Sequence, residues 1–332
     1  MRRPDFTQLL KVLDRRAPDR PVLFELFLHG PAERYAMEHG AKNLVDVFAA
    51  LGYDYASVVA SDFGFPSKQG SHRGDAKTFS LNDSPVITDR ESFDAYPWRD
   101  PAACDYSPLD DKLPPGMKLM ARGPCGVLEN TIRLVGYDNL CLMLYDDPRL
   151  ASDIFEQVGS RLAEYYRIAA RHDSVGLLMS NDDWGFNRQT MLSPADMRKY
   201  VFPWHKEIVR IAHDAGKPAV LHSCGYFADI IDDLFDMGFD GRHSYEDNIL
   251  PVEQSYELLM GGTLPMGSMA VLGGMDLHFL CTSTPEEIKA RCRAMLARAS
   301  GRGGYALGSG NSVPEFCPIE NYLAMISVID ED

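Results

Sequence analysis

The sequence predicts an α/β protein, a (β/α)8 TIM barrel with an N-terminal helical segment and a long insertion after the second strand. Three observations support that class. Short apolar runs of strand length recur eight times, helical patterns lie between them, and acids and imidazoles collect where the runs end. An open doubly wound sheet is the alternative with the same strand-helix alternation.

In chain order the predicted strands are Pro21 to Phe27, Tyr53 to Ala60, Lys118 to Arg122, Val175 to Met179, Ala219 to Leu221, Phe239 to Arg242, Met269 to Gly273 and Gly304 to Gly308. Buried parallel strands read as continuous apolar runs, as these do. Helical spacing fills Pro148 to Arg171, Pro194 to Ala215, Ala228 to Met237 and Pro285 to Ala299, several opened by a Ser or Thr before Pro. The interval 61–117 is too long for an ordinary βα loop and is rich in Gly and Pro, so it reads as an insertion over the barrel mouth of a single domain spanning 1–332.

Bulk properties narrow the function. The chain of 332 residues carries a formal charge of -15, with 45% hydrophobic and 24% charged residues, which suits a globular enzyme-sized protein. Without a Lys/Arg-rich run, a nucleic-acid backbone is a poor partner, and a small molecule or a protein fits better. No membrane-length apolar run occurs, and the N-terminal segment lacks a signal-peptide core, so the expected location is cytoplasmic. The seven cysteines form an odd, widely spaced set without a CxxC pair and read as mostly free thiols.

Polar residues mark the predicted strand ends: Glu25 and His29, Asp62, Arg122, Asn181 with Asp182 and Asp183, His222 with Cys224, Glu246 with Asp247, Asp276 with His278, and Asn311. In a barrel the C-terminal ends of the strands build the active site. His222 and Cys224 stand two apart at the end of an apolar strand, so both side chains face one point, and both are common zinc ligands. Glu246, after the next strand, is available as a third ligand, giving an open mixed-donor site. Asp182 and Asp183 are candidates for a general base or a substrate contact, or for a helix cap. Trp184, Phe186 and Tyr226 are candidate walls for a flat substrate, and His243 and His278 candidate supports for metal ligands.

These residues resemble the superfamily of uroporphyrinogen decarboxylase, cobalamin-independent methionine synthase and the corrinoid-linked methyltransferases. The resemblance rests on His222-Ser223-Cys224-Gly225, Glu246, Gly273-Gly274-Met275-Asp276 with Thr284-Pro285-Glu286-Glu287, and Gly303-Gly304-Tyr305 leading to Pro318-Ile319-Glu320-Asn321. It implies zinc on His222, Cys224 and Glu246. Thiol-methylating members place a further Cys after the last strand, where this chain has Asn311; Cys317, six residues on, is a possible substitute. A site with fewer thiolates leaves zinc a stronger Lewis acid, suited to an ether oxygen as well as to a thiol.

The resemblance thus implies a zinc-dependent methyltransferase that moves a methyl group between a small substrate, either a methoxylated aromatic or other donor or an acceptor thiol, and a corrinoid. No Asp-x-His-x-x-Gly corrinoid motif occurs in the chain, so a separate corrinoid protein is the expected partner. Asp62, Trp184, Tyr226 and Asn311 are the expected substrate contacts, and a homodimer is the expected assembly. The other readings are a metal-free decarboxylase of a tetrapyrrole, for which the chain lacks the Arg-x-x-Gly-Arg-Tyr-type motif, and a non-catalytic corrinoid or tetrapyrrole carrier.

Overall fold

A computed structural model describes residues 2–28, 30–67, 80–82, 84–261 and 267–331. His29, one of the polar strand-end residues, lies outside them. The described strands form one parallel sheet in which sequence order is spatial order: β1 (Tyr55–Val59), β2 (Lys118–Arg122), β3 (Val175–Asn181), β4 (Ala219–His222), β5 (Gly241–His243), β6 (Ala270–Leu272) and β7 (Tyr305–Ala306). Each strand pairs with the next, and the intervening helices cover the outside, which is the TIM-barrel arrangement.

The first predicted strand, Pro21 to Phe27, shrinks to a single parallel bridge between Leu23 and Leu307. On its other side β1 is linked to it through a side chain: the backbone N–H of Glu25 donates to the Tyr55 hydroxyl at 2.7 Å, and that hydroxyl donates to the Glu25 carbonyl at 2.6 Å. A phenol standing between two backbones keeps them too far apart for a ladder. The seam therefore closes through Tyr55 rather than through a full eighth strand.

The helices in chain order are α1 (Phe6–Leu13), α2 (Pro31–Glu38), α3 (Leu44–Ala50), α4 (Arg90–Asp94), α5 (Val127–Val135), α6 (Tyr137–Asp146), α7 (Pro148–Ala169), α8 (Pro194–Asp196), α9 (Phe202–Asp214), α10 (Ile231–Met237), α11 (Val252–Met260), α12 (Leu277–Thr282), α13 (Pro285–Ala299) and α14 (Ile319–Ser327). The predicted helix over 194–215 is split by a π-helical turn at Met197–Val201. Helix α13 has its predicted bounds because Thr284 and Glu287 form a capping box ahead of a Pro-initiated first turn.

Within the interval 61–117, residues 68–79 and 83 lie outside the described residues. Much of the described remainder runs along α7. Arg90 pairs with Asp153 at 2.7 Å, Arg161 lies over the Trp98 ring at 5.2 Å, Tyr106 packs on Tyr165 at 5.9 Å, and Asp110 reaches His172 just past the helix end. These residues follow the helix layer, since their aromatic rings and ion pairs find partners on α7.

Candidate active site

Register places the functional face. Asn181 pairs with His222, and His222 with His243, so these three side chains share the inner wall at the C-terminal ends of β3, β4 and β5. Just past β4 the backbone of Gly225, at φ 86°, passes against Gly185 so closely that a Cβ would meet the Gly185 oxygen at 2.0 Å. Only glycine tolerates both demands. The contact draws the β3 and β4 loops together: Gly185 N–H donates to the Cys224 carbonyl at 3.2 Å, and Cys224 N–H donates to Asp183 Oδ1 at 3.0 Å.

That closure assembles a cluster. Ligand atoms of Asp183, His222 and Cys224 all lie within 4.8 Å of one another. His222 Nε2 is 3.6 Å from Cys224 Sγ and 3.8 Å from Asp183 Oδ1. Asn311 donates from Nδ2 to Cys224 Sγ at 3.0 Å, and the Ser244 hydroxyl donates to the same sulfur at 3.6 Å. Two donors on one sulfur favour negative charge there.

A hydrogen-bond chain behind the cluster fixes which His222 nitrogen faces it. The Ser309 carbonyl can only accept, so His243 Nε2, 3.1 Å away, carries a proton and donates. Burial first, then the neighbouring His222, pushes His243 well below the ordinary imidazole range. The ring is therefore neutral, and its Nδ1 is an acceptor. His222 Nδ1 stands 2.7 Å from that acceptor and must donate, which leaves the lone pair of His222 Nε2 directed at Cys224 and Asp183. Burial and the nearby Arg242 push His222 itself down to about 3, so the lone pair stays free at neutral pH.

Ser309 is anchored in turn by a buried acid. Glu25 accepts from Ser309 N–H at 2.7 Å, and its other oxygen lies 2.6 Å from the Ser309 hydroxyl, which also contacts the Asn311 carbonyl. One hydroxyl proton cannot serve both acceptors. Burial pushes Glu25 up to about 8, and a protonated Glu25 donates to Ser309 Oγ, freeing that hydroxyl to donate to Asn311. A single acid thus steadies both the carbonyl that holds His243 and the residue that touches Cys224.

The donor set fits a soft-to-borderline divalent cation such as zinc: one neutral imidazole with its lone pair aimed inward, one thiol and one carboxylate. Burial pushes the Cys224 thiol up, so on its own it keeps its proton; a cation bound beside it would favour the thiolate, with the proton passing to solvent.

Glu246, the expected third ligand, is outside this cluster. Strand β5 ends at His243, and Ser244 at φ 94° turns the chain away; Tyr245 N–H then bonds the Gly310 carbonyl, and Glu246 opens the turn that leads to α11. Asp183 is the carboxylate that stands with His222 and Cys224. Glu246 instead lines a cavity of about 730 Å³ with Asp247, Asp276, His278, Phe279 and Asn311, so Asn311 joins the cavity to the cluster. Burial first, then Asp276 and Asp183, raises the Glu246 carboxyl. Asp247 and Asp276 have other work there: Arg291 grips Asp247 at 2.7 and 2.8 Å, and Asp276 caps α12.

Other expected site residues are dispersed. Asp182 is fully buried on the outer face of the sheet, where its carboxylate accepts from Leu128 N–H and Glu129 N–H at 2.9 Å each and lies 2.9 Å from His205 Nε2. It caps α5, not the helix near Ser193. Asp62 is exposed and paired with Arg99 at 2.9 Å. Trp184 is buried against Phe202 and His205. Tyr226 bonds Asp229 on the surface, while Phe186, partly exposed, packs edge-on to Tyr137. Cys317 meets Cys281 rather than Cys224. Among residues not singled out beforehand, Glu129 at the start of α5 is pushed up to about 8 by burial, then by Asp183 and Asp182. Its signal was an acid in the first turn after a barrel strand.

The model for the uroporphyrinogen decarboxylase (URO-D) family matches residues 121–331, nearly two thirds of the chain. The chain belongs to this family. The uroporphyrinogen decarboxylase of Chloroflexus aggregans is 26% identical over 191 residues, covering 56% of this chain and 49% of that protein; that of Koribacter versatilis is 22% identical over 191 residues, covering 57% and 50%. The chain therefore spans about half the length of the curated URO-D relatives it matches. Among solved structures, a methyltransferase from Methanosarcina mazei superposes with a TM-score of 0.69 at 16% identity, covering 98% of both chains. That likeness establishes the shared fold.

Proposed function

We propose that this URO-D family member is a zinc-dependent methyltransferase that moves a methyl group between a small substrate and the corrinoid of a separate protein. The observation that carries the reading is the aimed lone pair of His222 beside Cys224 and Asp183, held by the Glu25–Ser309–His243 chain. The end-to-end fold likeness to the M. mazei methyltransferase supports it. His222, Cys224 and Asp183 would hold the zinc, with Asn311 supporting the sulfur. Zinc bound there would supply Lewis acidity toward an ether oxygen or a thiol.

The chain's own groups do the rest. The neutral His243 keeps the His222 Nε2 lone pair turned inward, and the Asn311 amide and Ser244 hydroxyl stabilise a Cys224 thiolate. Glu246, whose carboxyl is raised by burial and by neighbouring acids, stands at the cavity wall, where its protonated form can give a proton to an oxygen leaving its methyl group. Decarboxylation, the activity named for the curated relatives, is the second reading. It needs no metal, and nothing in it accounts for the aimed imidazole.

Zinc analysis and a methyl-transfer assay separate the two. With a corrinoid protein as acceptor and methoxylated aromatics or thiols as partners, the protein should bind about one zinc, and the His222→Ala protein should lose both zinc and turnover. Turnover of a porphyrinogen by a chelator-treated sample would overturn the proposal.

A further inference from the structure

A second polar feature lies on the same inner wall, toward β1 and β2. Arg122 ends β2 and pairs in register with Met179, two residues before Asn181 on β3. It therefore shares the face of Asn181 and His222. The Arg122 side chain is largely buried and has no hydrogen-bond or ion-pair partner among the described residues, and its Nε is closed off from solvent. Its guanidinium rests over the Phe27 ring at 5.4 Å. Two further buried atoms on this face also lack partners: Ser57 Oγ, whose register partner Met120 lies two residues before Arg122, and Asn181 Oδ1. Two other buried arginines among the described residues are held. Arg242 donates to the Ser223 and Ser244 carbonyls, and Arg291 grips Asp247 and Glu253.

A half-desolvated guanidinium without an acceptor is costly to keep, and its fork matches a carboxylate. We infer that Arg122 is the anion subsite of the substrate, binding the carboxylate of a small aromatic acid whose reacting substituent points to the His222–Cys224–Asp183 cluster. The carboxylate stands on Arg122 itself. The aromatic ring rests on the methyltransferase reading above.

The spacing suits such a ligand. With strands about 4.8 Å apart and about 3.3 Å per residue, the Cα atoms of Arg122 and His222 are roughly 12 Å apart along the wall. A separation of that order matches one substituted ring held between two long side chains that lean inward from both ends. Asn181 lies between them, and its unpartnered Oδ1 accepts a ring hydroxyl. The overall charge of -15 does not oppose this, because a local cation in a walled mouth governs its immediate field.

The test is calorimetric binding of 3-methoxybenzoate and its neutral isostere 3-methoxybenzamide to the zinc-loaded protein and to its Arg122→Gln and Arg122→Lys variants, with zinc content measured in each. The acid should bind the native protein at least about tenfold more tightly than the amide, consistent with a charge-assisted hydrogen bond. Arg122→Gln should erase that preference at unchanged zinc content, and Arg122→Lys should keep part of it. Equal binding of acid and amide, or an unaltered preference in Arg122→Gln, would overturn the subsite. Uroporphyrin forms a second arm. Arg122-dependent binding of uroporphyrin without binding of the benzoate keeps the carboxylate contact and overturns the small aromatic ligand. Failure of methyl transfer in a protein whose acid binding still depends on Arg122 would break the methyltransferase reading and leave the subsite standing.

Discussion

Strand β3 is followed by two adjacent aspartates that the fold treats in opposite ways. On the outer face, Asp182, His205 and Ser180 form a closed chain: Ser180 Oγ is 2.8 Å from His205 Nδ1, His205 Nε2 is 2.9 Å from Asp182 Oδ2, and all three residues are almost wholly buried. On the inner face, Asp183, His222 and Cys224 converge with an imidazole lone pair left over. The outer group has the residue types of a hydrolytic triad but no access, so it is a brace between β3, α5 and α9. The comparison teaches that residue type does not make a site; an unspent valence facing open space does.

The largest expected effect lies on the inner group. His222→Ala should abolish stoichiometric zinc binding while the protein stays folded, as measured by metal analysis beside thermal melting. Asp182→Ala should do the reverse. Loss of the cap and of the His205 contact leaves buried groups unpaired, costing about 3–5 kcal/mol, so denaturant unfolding should shift strongly while the folded fraction keeps its zinc. Zinc loss in Asp182→Ala at full folding would erase the distinction between the two faces.

Next in size are the variants that decide the third ligand. Asp183→Asn should weaken zinc binding more than Glu246→Gln, and competition with a chelator measures both. The opposite order would restore Glu246 as the ligand. His243→Phe removes the acceptor for His222 Nδ1 and should lower zinc affinity by about 10–100-fold, the usual effect of losing a partner that orients a ligand.

A further effect concerns pH. Glu25 is raised from 4.5 in the unfolded chain to about 8 when folded, so the folded state holds its proton longer. Its contribution to stability is therefore fully present below about pH 4.5, declines through the interval, and is at its least favourable above about pH 8. Glu25→Gln should flatten this part of the stability profile in denaturant titrations between those limits. A profile unchanged by the substitution would remove Glu25 from the supporting chain.

Much of the barrel was legible in the sequence, since continuous apolar runs and capped helices are local signals. Strand β2 and helix α13 lie at their predicted bounds, and β3 extends two residues past its expected end. The first strand failed because its pairing depends on Tyr55, thirty residues away, whose hydroxyl occupies the seam. The site was half legible. His222 and Cys224 follow from the two-residue period of one strand, and Asn311 from its position after the last one. The position of Glu246 outside the three-residue cluster was not legible, because distance along the chain past a strand end says nothing about a turn such as that at Ser244.

By itself, then, the sequence determined the fold class, the family resemblance and the paired imidazole and thiol, all of which depend on short-range periodicity or on motif. Tertiary structure alone decided that Asp183 and not Asp182 joins them, that His243 sets the His222 tautomer, and that Arg122 is left without a partner among the described residues. Those outcomes depend on cross-strand register and on the contact between Gly185 and Gly225, which join residues distant in the chain and leave no periodic trace in it.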